Sequence, residues 1–209
     1  MIQNKRNENS EYVSYDEENT CMECVEALKD IKQIQAMKKY LEEHSKRDYL
    51  LFVLGINTGL KITELLIIKV EDVLDEGGTI KDFYLLPGKD EKYNQDIYLN
   101  SKVKDALLDY FHSSQVEKGQ YIFQSNKTKN PITRQQAYRI IHRAAEEIGI
   151  PGKIGTNSMR KTFGYHAYKR GVAIALLQKH FHHATPSETL KYLGISKEEK
   201  FKTKIDVDL

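Results

Sequence analysis

The sequence contains no apolar run approaching the roughly 20 residues that a membrane-spanning helix requires. Its opening, MIQNKRNENSEYVSYDEENT, is polar throughout and has no apolar stretch of the kind a cleavable signal carries. Cytoplasmic residence, with no membrane partner, is the expectation. Cysteine is scarce: Cys21 and Cys24 form a single C-x-x-C. No second pair is present to complete a zinc site, and no strand–helix–strand pattern surrounds this one to make a redox motif, so a structural or incidental role is expected. Internal repeats and low-complexity linkers are also missing. A chain of 209 residues without them is long enough for one sizeable domain.

Charge is plentiful but unevenly placed. The net charge is only +2, yet residues 125–170 hold ten Lys or Arg against Glu146 and Glu147, a local excess of +8 that leaves the remainder at −6. A basic block inside a near-neutral chain is a footprint for a polyanion, or else a solvated basic surface.

Periodicity outlines the fold. Residues 1–24 lack a pattern and read as a flexible lead. Ile31, Ile34, Met37 and Leu41 keep helical spacing. "KRDYLLFVLGINTG" is apolar from 50 to 56 and reads as a central helix that Gly59 can end. "ITELLIIKVEDV" reads as a short helix running into an extended piece. "TIKDFYLL" and "NQDIYL", joined by the turn-rich "PGKDEKY", predict a β-hairpin. A helix follows from about Ser101, and "QYIFQ" reads as a short strand or extended segment. "PITRQQAYRIIHRAAEEIGI" is strongly amphipathic. Ala137, Ile140, Ile141, Ala144, Ala145 and Ile148 share one face; Gln135, Arg139, His142, Arg143 and Glu146 share the other. Helices at 158–170, around "VAIALLQKHF" and near "SETLKYLG" complete a mainly α domain with a small antiparallel β-sheet.

Some residue placements call for a chemical reason. In "TNSMRKTFGYH", Arg160 and Lys161 sit in the opening turns of a helix whose N-terminus already carries partial positive charge. That placement suits an anion, because helix N-termini and arginine forks both accommodate phosphate. His180, His182 and His183 crowd one stretch, but no carboxylate and no helical histidine pair supports a metal among them.

Taken in order, these stretches resemble the boxes of a known family. "TGLKITELL" looks like the Thr-Gly-Leu-Arg-Ile-Ser-Glu-Leu box of the tyrosine recombinases, the phage integrase family. "NSMRKTFGYHA" is similar to that family's His-x-Leu-Arg-(His/Lys)-Thr-Phe box. "FHHATPSETLKYLGI" resembles its Leu-Gly-His box, with the family's nine-residue interval from His183 to Tyr192. The resemblance covers the catalytic half, here residues 25–195, with 196–209 as a tail; a separate N-terminal DNA-clamping domain is not recognisable.

The resemblance implies cutting and rejoining of double-stranded DNA through a 3′-phosphotyrosyl intermediate, without metal, cofactor or small-molecule substrate, by protomers that assemble as a homo-tetramer. It makes Tyr192 the nucleophile, Arg160 a phosphate clamp and His183 a hydrogen-bond donor to a phosphate oxygen. It makes Lys89 the general acid, with Lys92 as the alternative. Arg134, Arg139, His142, Arg143 and Lys161 are the expected DNA contacts. Two positions depart from the boxes. Lys61 stands where the family has arginine, and keeps the charge but not the planar fork. Asn157 stands where the family usually has histidine, and can carry neither charge nor a mobile proton. Contacts worth about 2–3 kcal/mol would slow the reaction roughly 30- to 150-fold. A degenerate relative that binds DNA without cutting it, and a helical protein-interaction domain, are the alternatives.

Overall fold

A computed structural model describes residues 25–88, 90–114 and 117–196. The expected N-terminal lead, Lys89 and the tail beyond Ser196 lie outside the described residues.

The caps set the helix boundaries. Helix α1 (Ile31–His44) starts where the Asp30 side chain accepts from Lys32 N. Ser45 ends α1 and opens α2 (Lys46–Thr58), its hydroxyl accepting from Asp48 N at 3.3 Å. Residues 50–54 of α2 are wholly buried. As its unbroken apolar run predicts, α2 is the central helix, packed by α1, by α5 (Ser101–Ser113) and by α7 (Thr156–Lys169).

The stretch after Gly59 folds differently from its expectation. In place of one helix and an extended piece, it forms two short helices, α3 (Ile62–Leu66) and α4 (Val70–Val73). Each is closed by an acidic side chain in its first turn: Glu64 accepts from Lys61 N at 2.7 Å, and Asp72 from Lys69 N at 2.8 Å. These local bonds favour two short helical turns over a strand.

The hairpin pairs β1 (Phe83–Leu86) with β2 (Gln95–Tyr98) in antiparallel register, Tyr84 opposite Ile97 and Leu86 opposite Gln95. Tyr84 and Ile97 face the core, while Phe83, Leu85 and Tyr98 remain exposed. The "QYIFQ" stretch forms isolated bridges rather than a strand of its own. Helix α6 (Arg134–Glu147) buries Ala137, Ile141, Ala144 and Ala145; Ile140 and Ile148 lie at the edge of the core. The last helices among the described residues are α8 (Ile174–Phe181) and α9 (Pro186–Tyr192). The result is the mainly helical fold with a small antiparallel sheet that the sequence predicts.

Apolar residues gather in two clusters. The larger one fills the space around α2. The smaller one, Tyr165, Leu177, Phe181, Leu193 and Ile195, lies beneath α8 and α9. Helix α7 serves both, with Met159 in the first cluster and Tyr165 in the second. Segment 25–30 then straps α7 and the end of α9 together. Leu28 N donates to Thr162 Oγ1 at 2.8 Å, and Lys29 Nζ donates to Gly194 O at 2.9 Å.

Gly59 is doubly constrained. Its φ of 66° is left-handed, and a Cβ there would sit 2.3 Å from the Phe163 ring. Gly59→Ala should therefore destabilise the fold by roughly 2–4 kcal/mol in urea unfolding. Gly78 has a similar φ of 79° but open space around it. Gly78→Ala should cost only about 1 kcal/mol, the backbone part of the effect. Equal costs at the two glycines would mean that the Phe163 contact contributes nothing.

Candidate active site

Arg160 lies at the seam between the two clusters and is 6% exposed. It does not sit at the helix start as its neighbours suggest. Helix α7 opens at Thr156 with Gly155 as its cap, so Arg160 falls in the second turn, beyond the orphan N–H groups. Its anion-seeking character comes instead from burial and from its partners. Nη1 donates to Gly59 O in a short contact, and Nη2 donates to Phe181 O at 3.3 Å. The guanidinium carbon lies 4.6 Å from the centre of the Phe181 ring. Glu64 is near enough to favour the charge but forms no ion pair with it among the described residues. Burial pushes the Arg160 pKa down, and Tyr192 and Glu64 pull it back. A buried cation held by carbonyls keeps its full charge to offer an incoming anion.

Tyr192 and His183 close the other side. Their rings meet edge to face at 4.9 Å, and each is 5.5 Å from the Phe181 ring. The Tyr192 hydroxyl is buried and has no well-formed hydrogen bond among the described residues, although it lies within reach of the Arg160 charge. Burial raises its pKa and Arg160 offsets only part of that rise, so the resting group is a phenol. Gly164 makes the closure possible, since a Cβ there would lie 2.5 Å from Leu193 and 2.7 Å from Phe181.

His183 Nδ1 lies 3.0 Å from Thr189 Oγ1, which is also 3.3 Å from Thr185 O; with the hydroxyl proton directed to Thr185 O, the ring donates from Nδ1. Burial lowers the His183 pKa, against Glu188 and reinforced by Arg160 and His182. A neutral ring with its proton on Nδ1 leaves Nε2 as an acceptor.

The remaining expected residues are placed unevenly. Lys61 caps α3, two residues beyond the Gly59 carbonyl that Arg160 holds; its side chain is 54% exposed, with Nζ 3.9 Å from Glu64. Asn157 is half-buried in the first turn of α7, on the same face as Arg160. Lys92 lies in the 3-10 turn Glu91–Tyr93, its Nζ 4.9 Å from the Tyr93 ring centre. Arg134, Arg139 and Arg143 are exposed on α6. His142 on the same helix is half-buried, with Nδ1 3.1 Å from Ile154 O.

Lys161 departs from its expected place on the surface. It is 8% exposed, donates to Val25 O at 2.9 Å and lies 5.1 Å from the Tyr192 ring centre. Segment 25–30 covers this side of α7: Leu28 N donates to Thr162 Oγ1 and Lys161 Nζ to Val25 O, so both residues are buried beneath it.

Sequence reasoning did not select His180 as a site residue, because it treated this histidine only as a metal candidate and set that aside. Its Nδ1 lies 3.0 Å from Gln95 Nε2, and its ring packs 5.1 Å from that of Phe163. Burial, and then Arg160, lower its pKa to about 4; the Thr58 backbone and Glu64 oppose the shift, and His182 adds to it. A histidine on the apolar face of α8 beside Leu177 and Phe181 is the one available sequence signal.

Comparison with known proteins follows this geometry. Residues 28–199 match the profile of the phage integrase family. The probable integrase/recombinase YoeC of Bacillus subtilis (strain 168) is 37% identical over 177 residues, which cover 85% of this chain and 93% of YoeC. A tyrosine recombinase of Pseudothermotoga lettingae is 31% identical over 167 residues, 79% of this chain but 56% of that protein. The crystal structure of XerA recombinase superposes with a TM-score of 0.65 at 19% identity, covering 81% of this chain and 59% of XerA. A post-cleavage complex of XerH with its difH substrate gives the same TM-score at 18% identity, covering 81% of this chain and 49% of XerH. Against these longer proteins, the chain spans about half their length.

The neutrality of His180 has a measurable consequence. In the unfolded chain a histidine takes up a proton near pH 6.5, whereas His180 in the fold does so only near pH 4. Between these values the unfolded state binds more protons, so stability present above pH 6.5 is lost as the pH falls. At pH 4.5 the loss from this one group is on the order of 2–3 kcal/mol. Urea unfolding of His180→Phe should lack that part of the pH dependence, while the pH dependence contributed by the rest of the chain persists in both proteins. Parallel curves for the two proteins would contradict the placement of His180.

Proposed function

The chain belongs to the phage integrase family, and we propose that it is a tyrosine-type DNA strand transferase that cuts and rejoins duplex DNA in site-specific recombination. The observation that carries this reading is the buried Arg160, held by the Gly59 and Phe181 carbonyls, with the Tyr192 hydroxyl within reach of its charge and the His183 ring packed against Tyr192.

In this reading a backbone phosphate enters beside Arg160 and Lys61. The phenolic oxygen of Tyr192 bonds to phosphorus as its proton passes to His183 Nε2, which then donates to a phosphate oxygen. The bond from phosphorus to the 5′ oxygen breaks, and a hairpin lysine, Lys89 or Lys92, supplies the proton that completes the 5′ hydroxyl. Rejoining reverses these steps with a 5′ hydroxyl from another strand. The negative charge that builds on the phosphate is met by fixed cations and donors, with no metal in any step. Residues 25–195 form the catalytic domain, and assembly on paired duplexes makes a homo-tetramer. The exposed arginines of α6, Arg134, Arg139 and Arg143, track the DNA backbone, with His142 at the edge of that face.

A library of nicked duplexes with a randomised core traps the intermediate, because the broken strand diffuses away after cleavage. A covalent protein–DNA adduct should appear on a denaturing gel and vanish in Tyr192→Phe. Lys61→Arg combined with Asn157→His should raise the adduct rate roughly 30- to 150-fold if the two departures cost the amount estimated from their chemistry. No adduct from either the native or the repaired protein would overturn the strand-transfer reading, and intact DNA binding in that case would favour a binding-only relative.

The α6 face makes a separate expectation. Arg139→Ala with Arg143→Ala should weaken duplex binding and reduce the salt dependence of its affinity by about two units of slope. An unchanged slope in a titration from low to high salt would remove this helix from the interface.

A further inference from the structure

We infer that His180 is a positioning residue that holds the hairpin turn, through Gln95, against the Arg160 pocket. This rests on the strand-transfer reading above, in which a lysine of that turn protonates the leaving oxygen.

The hairpin is anchored at its open end, where Lys81 N donates to Val73 O at 2.8 Å and Lys104 pairs with Asp82, but its turn end has fewer ties. Its apolar attachment is the Tyr84 and Ile97 pair, while Leu86 next along β1 is only half-buried. The opposite face is open: Phe83, Leu85 and Tyr98 are 52%, 54% and 59% exposed. Beyond Leu86 and Gln95 the chain enters the turn that carries Lys89 and Lys92. Inside that turn, Gly88 N donates to Asn94 Oδ1 at 2.9 Å, which fixes its shape but not its position against the rest of the molecule.

Gln95 supplies the missing connection. It is the first residue of β2, directly after the turn, and its side-chain nitrogen lies 3.0 Å from His180 Nδ1. The other edge of the imidazole is buried: Nε2 is shielded from solvent and has no hydrogen bond of good geometry among the described residues. With the Gln95 amide donating to Nδ1, the proton of the neutral ring sits on Nε2, beside the Thr58 backbone. Thr58 immediately precedes Gly59, whose carbonyl Arg160 holds. The ring is wedged between Phe163 at 5.1 Å and Phe181 at 5.3 Å, so it has little freedom to move. One rigid imidazole therefore spans from the foot of the hairpin turn to the turn that seats the phosphate-binding arginine. A displacement of about 1 Å in a proton donor can cost on the order of a hundredfold in rate.

The test exploits the leaving group. The duplex recovered from the randomised library is resynthesised with either oxygen or sulfur at the scissile 5′ position. A thiolate leaves readily without protonation, because its conjugate acid has a pKa of about 8.5. On the oxygen duplex, His180→Phe, which keeps the ring and its stacking, should form adduct roughly 10- to 100-fold more slowly than the native protein. Gln95→Met should do the same, and the double variant should be no slower than the worse single one. On the sulfur duplex all three should fall within about threefold of the native rate. DNA affinity and melting temperature, measured on the same samples, report any loss of fold, and Gln95→Met carries the test if His180→Phe unfolds.

An equal defect on both duplexes would overturn the inference, since the ring would then be acting on Arg160 or on the fold. So would a native rate on the oxygen duplex. If neither the native protein nor the Lys61→Arg, Asn157→His protein forms adduct on either duplex, the strand-transfer reading itself fails, and the role of His180 fails with it.

Discussion

A guanidinium withdrawn from water without a carboxylate partner sets the terms for everything around it. Arg160 is 6% exposed and is held by the carbonyls of Gly59 and Phe181. Carbonyls orient the group but do not neutralise it, so its charge acts on every titrating neighbour. It limits the rise of the Tyr192 pKa and helps to keep His180 and His183 neutral. It also dictates backbone shape. The Gly59 carbonyl can face the arginine because the chain leaves α2 in a left-handed conformation, and that conformation brings Gly59 against Phe163. The Phe181 carbonyl is available because it lies at the C-terminus of α8, where helix carbonyls lack intrahelical partners.

The same residue joins two packing units of unequal size. Lys61 stands on the large cluster around α2, whereas His183 and Tyr192 stand on the small cluster under α8 and α9. A site assembled across such a seam depends on the relative placement of its two sides. Segment 25–30 bears on that placement through Thr162 and Gly194, and Lys161 adds to it by reaching Val25 beneath the Tyr192 ring. Small clusters open at lower free energy than large ones. In the strand-transfer reading proposed above, Tyr192 thus lies on the more easily displaced side and Arg160 at the junction, an arrangement that suits a reaction in which a strand must be released and another accepted.

Much of this was readable from sequence because the relevant signals are local. The apolar run in α2, the two faces of α6, the short β-rich stretches and the spacing from His183 to Tyr192 each declare themselves within a few residues. What sequence misplaced depends on tertiary partners. Arg160 looked like a helix-start cation, but its character comes from carbonyls 101 and 21 residues away along the chain. Lys161 looked like a surface lysine because nothing local reveals that segment 25–30 covers it. His180 was seen only as one of three neighbouring histidines, since its partner Gln95 is 85 residues distant. The two short helices after Gly59 were the local failure: Glu64 and Asp72 close their first turns by capping bonds that the apolar pattern alone does not weigh.

The departures at Lys61 and Asn157 differ in kind once their surroundings are known. Lys61 extends from an exposed cap, with Glu64 as its nearest carboxylate, and its ammonium must be drawn from solvent and from that carboxylate to meet a phosphate. It brings charge without a fixed direction. Asn157 is half-buried one turn before Arg160 on the same helix, so it can offer directed donors but no charge. With His180 and His183 neutral, the positive charge near a bound phosphate rests on Arg160, Lys61 and a hairpin lysine. One of these is rigid and two belong to turns or caps. In the proposed strand-transfer reading, this arrangement keeps charge to meet a phosphate but fixes the direction of only one of its cations. On that reading the two departures weigh on cleavage more than on DNA binding, because fixed dipoles lower a barrier only when they already point where the charge will develop.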